Sequence, residues 1–145
     1  MPRHPAMKLT ADEAACIAEA AVVDAAELME AACGASPQEL VECYEAVAPL
    51  VELIRQTEML RVTRLEILQE VAARVRDGAL ANARFENDML VRLRAGDETA
   101  LLRDATLEES EWRTRGQLDR YLEQFTHADG VLRRLTDGGL PGSAG

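Results

Sequence analysis

Aromatic side chains make up only 3 % of the 145 residues, and that scarcity bounds the core. An interior almost without rings has to be filled by Leu, Val, Ile, Met and a great deal of Ala, which suits close helix-to-helix contact better than a thick sandwich. Apolar residues are present in ordinary amount, 48 %, yet they never run on for more than a few positions. No secretory leader and no membrane span is therefore expected. β-Branched residues do not alternate with polar ones over any useful run, which argues against strands. A chain of this length predicts one domain, large enough to bury a core without disulfides or structural metal.

Histidine and cysteine are almost as scarce. The two histidines are His4 and His127, and because position 124 is Gln there is no Glu-x-x-His of the kind a di-iron helical bundle requires. Glu123, His127 and Asp129 make the only metal-like cluster, and it reads as a helix-surface pair near a helix end. Cys16, Cys33 and Cys43 include no Cys-x-x-Cys and leave an odd thiol, the pattern of a reducing, cytoplasmic compartment. Cys16 and Cys43 lie among acids that disfavour a thiolate, so plain buried or half-buried thiols are predicted. There is no Gly-rich phosphate loop, no Gly-x-Ser-x-Gly and no dinucleotide fingerprint. The sequence predicts no enzyme, no cofactor and no metal.

Basic residues are missing altogether from residues 9–54, which hold ten acids: Asp12, Glu13, Glu19, Asp24, Glu27, Glu30, Glu39, Glu42, Glu45 and Glu52. This segment alone matches the formal net charge of −10. Such a surface repels nucleic acid and anionic membranes and favours a basic partner. Part of the acidity is expected to look toward arginines of the middle segment, Arg55, Arg61, Arg64, Arg74, Arg76, Arg84, Arg92 and Arg94. The rest is either a solvated face or a handle that steers a partner, with Glu19, Glu27 and Glu30 as the candidate steering residues. An acidic mimic of nucleic acid, blocking a basic DNA- or RNA-binding protein, is the alternative.

What is present is helical punctuation. Thr10 with Glu13 is a capping box and Gly34 a stop, so a first helix is predicted over 11–33. Its core stripe reads Ala15, Ala18, Val22, Ala25, Met29 and Ala32, widened by Ile17, Ala21 and Leu28. Ser36, Pro37 and Glu39 restart the chain after a tiny loop, which makes an Ala-rich antiparallel hairpin, and Leu40, Tyr44, Val47, Val51 and Ile54 form the apolar face of the second helix. Pro49 either kinks or splits that helix. The polar stretch 55–64 is taken as a change of packing partner along one long rod that either stops near Gly78 or runs on through it at a cost of about 1 kcal/mol. A third helix is expected over 79–95 and a fourth from about 97 to 136, with Leu118, Leu122, Phe125, Leu132 and Leu135 as its stripe. Residues 1–9 read as a flexible lead, 10–136 as a single helical domain and 137–145 as a flexible tail. Trp112, the lone tryptophan, sits among charges in "EESEWRTRG", either flat across a helix seam or standing out as an interface anchor.

Residues 86–122, "ENDMLVRLRAGDETALLRDATLEESEWRTRGQLDRYL", carry Leu93, Gly96, Asp97 and Leu101 as a Leu-x-x-Gly-Asp-x-x-x-Leu break followed by a Glu-rich coil. This quarter of the chain resembles the flagellar hook-filament junction export chaperones. The resemblance implies a small cytosolic helical protein that holds the helical ends of secreted subunits. The break falls late here, behind an additional acidic hairpin.

The sequence thus predicts an all-α bundle of three to five antiparallel helices. Its expected role is a non-catalytic cytosolic chaperone or adaptor that binds a helical or basic protein or a second copy of itself. It is expected to bind no nucleic acid and no membrane. Candidate contact residues are Trp112, Leu118, Leu122 and Phe125 for apolar contact, with Glu19, Glu27 and Glu30 for steering.

Overall fold

The computed structural model describes residues 6–137. The expected tail beyond 137, and positions 1–5 of the expected lead with His4, lie outside the described residues. Among those described, the chain forms four α-helices: α1 (Ala11–Ala31), α2 (Pro37–Glu58), α3 (Leu65–Arg94) and α4 (Leu107–Asp137). Two short strands, β1 (Met7–Lys8) and β2 (Arg61–Val62), pair antiparallel, Met7 opposite Val62, and a 3-10 turn spans Glu98–Ala100. The all-α prediction holds. The described residues divide into two compact units, one of residues 6–75 with 127–137 and one of Arg76–Thr126, the division falling within α3 and α4. No described helix is long and apolar enough to cross a membrane.

The hairpin is built as its caps dictate. Thr10 accepts from the Glu13 amide while the Glu13 carboxylate accepts from the Thr10 amide at 2.9 Å, so two orphan donors of the first turn are satisfied reciprocally. Gly34 takes φ +81°, a left-handed conformation open to glycine at no steric cost, and turns the chain back. Ser36 then caps α2, with Pro37 in the first turn where a missing N–H costs nothing. Helix α2 runs unbroken through Pro49, which is neither a split nor an end.

Four sequence expectations need correction. The lead is not loose at its C-terminal end: Met7 and Lys8 form β1, and Leu9 is buried, its amide donating to the Leu60 carbonyl at 2.9 Å. The long rod is broken, because α2 ends at Glu58 and Leu60 turns the chain through φ +55° into β2, where Val62 is fully buried. Gln56 secures that break, its Oε1 accepting from the amides of Thr63 and Arg64 at 2.9 and 3.2 Å just ahead of α3. Gly78 does not stop a helix, since α3 passes through it, and a mid-helix glycine costs only about 1 kcal/mol. Nor does α4 begin at 97. Asp97 caps only the 3-10 turn, and Thr106 starts α4 by accepting from the Glu109 amide at 3.1 Å.

In the first unit the core joins Leu9, Ala14, Ile17, Ala21 and Ala25 to Leu50, Leu53, Val62, Leu68, Val71, Ala72, Val131 and Leu135. Complete burial of a Leu or Val side chain contributes roughly 1.5–3 kcal/mol, so this cluster dominates the unit's stability. Two ion pairs tie α1 to it. Arg134 Nη2 donates to Glu13 Oε1 at 2.7 Å, and Arg74 Nη2 donates to Asp24 Oδ2 at 2.6 Å. The acids of the hairpin are thus partly answered, by Arg74 of the middle segment as the charge distribution predicts and by Arg134 of α4, which it did not single out.

Candidate interaction surface

The core uses only part of the apolar arcs that the periodicity selects. On α1 the fully buried residues are Ile17 and Ala21, both predicted to widen the stripe, each one position ahead of Ala18 and Val22. On α2 Leu53 is fully buried and Leu50 buried beside it, one position ahead of Ile54 and Val51. One residue is about 100° of rotation around a helix. Each helix therefore turns its predicted stripe toward one side and seats the neighbouring row. Val22 and Met29 of α1 are 50 % and 61 % exposed, and Tyr44 of α2 is 75 % exposed, with Leu40 and Val51 also open to solvent. Of the predicted α1 stripe Ile17, Ala21 and Ala25 are buried and Ala18 and Ala32 half-buried, and Val47 and Ile54 of α2 are half-buried.

The open positions, Ala15, Val22 and Met29 on α1 and Leu40, Tyr44 and Val51 on α2, belong to stripes of heptad spacing, 15, 18, 22, 25, 29 and 32 and 40, 44, 47, 51 and 54, whose other members are buried or half-buried. That is the spacing of a coiled-coil seam with one side missing. A second regularity runs beside them: Glu19, Glu30, Glu45 and Glu52 directly follow Ala18, Met29, Tyr44 and Val51. On both helices the order around the axis is buried row, apolar stripe, glutamates. Seen from one end, an antiparallel partner winds in the opposite sense, so both stripes open on the same side of the hairpin with the glutamates along its outer edges. Toward the tip the hairpin has no further support, since no residue of 26–49 is buried.

Glu19 and Glu30 of the predicted steering set lie on this edge, both exposed. Glu27 does not join them. It lines a notch of about 230 Å³ with Asp24, Leu28, Leu50 and Arg74, on the core side of α1. The predicted apolar contacts all lie in the second unit. Trp112 is 76 % exposed, which removes the reading of a ring laid flat across a seam. Leu118 and Phe125 are half-buried and Leu122 is exposed; these three share one stripe of α4, while Trp112 falls to one side of it. Trp112 borders an open cavity of about 680 Å³ with Glu86, Leu102, Arg113, Arg120 and Tyr121. Burial raises the Glu86 carboxyl above its ordinary value.

Groups able to do chemistry are dispersed. Among the described residues no three of His, Cys, Asp and Glu stand close enough to hold a metal ion. Asp129, one of the metal-like trio, is held by Arg133 at 2.8 Å. All three cysteines are free thiols. Burial, with Glu19 nearby, raises the Cys16 thiol, and the Cys43 thiol donates to the Leu28 carbonyl at 3.4 Å, a link across the hairpin. In the Gly96-Asp97 break, hydrogen bonds from Thr99 and Arg92 lower the Asp97 carboxyl to about 2. That network orders the turn: Asp97 accepts from the Thr99 hydroxyl and amide, and Arg92 spans Asp97 and Thr99. Arg94 meets Glu111 at 2.9 Å across the same connection, linking the end of α3 to the first turns of α4.

The sequence placed Leu40, Tyr44 and Val51 on the apolar face of the second helix but did not identify them as exposed. The signal that identifies them is the glutamate row beside the stripe, which marks the solvent side of the register. Comparison of the chain with family models, with curated proteins and with solved structures gives no match.

Proposed function

We propose that this protein is a non-catalytic interaction module, a small cytosolic helical chaperone or adaptor whose α1–α2 hairpin receives a partner helix. The observation that carries this reading is the set of exposed apolar side chains on the hairpin, Val22 and Met29 of α1 and Leu40, Tyr44 and Val51 of α2, which fall on heptad-spaced stripes. A contiguous apolar surface that costs solubility is retained where it is covered by a partner, and helix-in-groove docking reads i, i+3, i+4 and i+7 anchors. The acids that suggest mimicry of nucleic acid here border Val22, Met29, Leu40, Tyr44 and Val51, which a phosphate-like surface has no use for. The likeness of residues 86–122 to flagellar export chaperones supports a helix-holding role in the same general sense.

Selection from a displayed library of helix-forming peptides tests the reading, with a Tyr44→Asp, Val51→Asp double variant as the counter-target. Both positions are exposed, so the variant is expected to keep the helicity and thermal midpoint of the parent. Enriched peptides are expected to carry a heptad apolar stripe and to be lost on the variant. Absence of enrichment, or equal retention on the variant, contradicts the reading.

A further inference from the structure

We propose that the open side of the α1–α2 hairpin is shaped for a basic amphipathic helix, one whose apolar stripe is flanked by Arg or Lys. This rests on the interaction reading above and adds the chemistry of the partner. The apolar stripes fix the partner as helical, because both repeat at heptad spacing. Each spans fifteen residues and so fourteen helical rises, from 15 to 29 and from 40 to 54. At 1.5 Å rise per residue that is about 21 Å, enough to seat a helix of roughly 15–20 residues.

Charge fixes the rest. The outer edges carry Glu30 on α1 and Glu45 and Glu52 on α2, and residues 9–54 contain no Lys or Arg. Glu52 is engaged by Arg55 at 2.7 Å, whereas Glu30 and Glu45 are in no ion pair among the described residues. A helix lying between these edges brings its own flanking residues opposite the glutamates, where displaced water strengthens each charge interaction. Arg or Lys in those flanking positions is attracted, and acidic residues are repelled. The same argument disfavours a second copy as occupant. Its matching face is bordered by the same glutamates, and a two-fold pairing of hairpins sets carboxylate against carboxylate along both edges.

The test uses the full chain and three fluorescent helical peptides of roughly 20 residues that share one Leu heptad stripe and differ only in flanking residues, Arg, Gln or Glu. Anisotropy titrations are expected to rank them Arg over Gln over Glu, with about a tenfold step at each change in low salt and a smaller one in high salt. A Glu30→Lys, Glu45→Lys variant is expected to level the ranking with unchanged circular dichroism. Equal affinity for the three peptides, with loss of all binding in the Tyr44→Asp, Val51→Asp variant, overturns the basic partner and leaves the interaction module standing. A dimer that this variant dissolves, with none of the peptides bound, overturns it in favour of a second copy. A monomer that binds none of the three removes both proposals.

Discussion

Ile17→Ala is expected to lower the unfolding free energy by about 2–5 kcal/mol, whereas Val22→Ala and Met29→Ala each change it by less than about 1 kcal/mol. Ile17 is fully buried in the first unit, where Leu50, Leu53, Leu68 and Val131 share its cluster, so truncation removes transfer energy and leaves a void. Val22 lies on the same helix five residues on and is half open to water. Alanine there gains helix propensity and gives up little burial, which makes a neutral or slightly stabilising result the expected one. Urea unfolding of the three variants decides the register of α1. Comparable losses at Ile17 and Val22 would mean that both rows are packed, and the open stripe would not exist.

Glu13→Ala is expected to cost about 2–3 kcal/mol, the larger effect of the two ends of its ion pair. The carboxylate is nearly buried, accepts from the Thr10 amide and from Arg134, and lies over Gly130, where an added Cβ would stand 3.4 Å from its Oε2. Its removal strips a cap and the α1–α4 tether together. Arg134→Ala is expected to cost less, because Arg134 is substantially exposed and Glu13 keeps the Thr10 amide. Burial works against the charge on Glu13, but the Thr10 amide and the Arg134 guanidinium outweigh it, so the carboxyl sits below its ordinary value of 4.5. A carboxyl depressed by folding stabilises above its unfolded pKa, and that stability is lost as pH falls through the folded value. Acid unfolding below pH 4.5 is therefore expected to be shallower in Glu13→Gln than in the parent. An unchanged acid limb would show that Glu13 is not the group that couples α1 to protons.

Helix boundaries set by side-chain chemistry were legible in the sequence. Thr10 with Glu13, Gly34, and Ser36 with Pro37 fix the hairpin because each supplies a donor, an acceptor or a backbone angle that the ends require. Boundaries set by tertiary structure were not. Leu60 in a left-handed conformation looks in sequence like another helical leucine, and its turn is held by Gln56, whose role depends on Thr63 and Arg64 coming back to it. Leu101 and Leu102 likewise suggested helix, although Leu102 leaves it to donate its amide to the buried Ser110 hydroxyl at 3.0 Å.

The candidate surface was hidden by the breadth of the apolar arc. On α1 the rows Ala14, Ile17, Ala21, Ala25 and Ala15, Ala18, Val22, Ala25 are both apolar at helical spacing, and periodicity cannot assign one to the core and one to a partner. Small alanines allow either. The structure chose the row with Ile17 on α1 and Leu50 and Leu53 on α2, the bulkier side chains, and left Val22, Tyr44 and Val51 outside. The predicted contact residues Trp112, Leu118, Leu122 and Phe125 belong to a different compact unit from Glu19, Glu27 and Glu30.

Hydroxyl-radical footprinting of the full chain, free and with the Arg-flanked helix, tests the open hairpin face most directly. Met29 and Tyr44 are 61 % and 75 % exposed on it, and Met59, 76 % exposed in the turn after α2, serves as the internal control. Free protein is expected to be oxidised at all three, and the helix to protect Met29 and Tyr44 while Met59 stays reactive. Protection of Met29 and Tyr44 already in the free protein, or their indifference to saturating helix, would contradict the account.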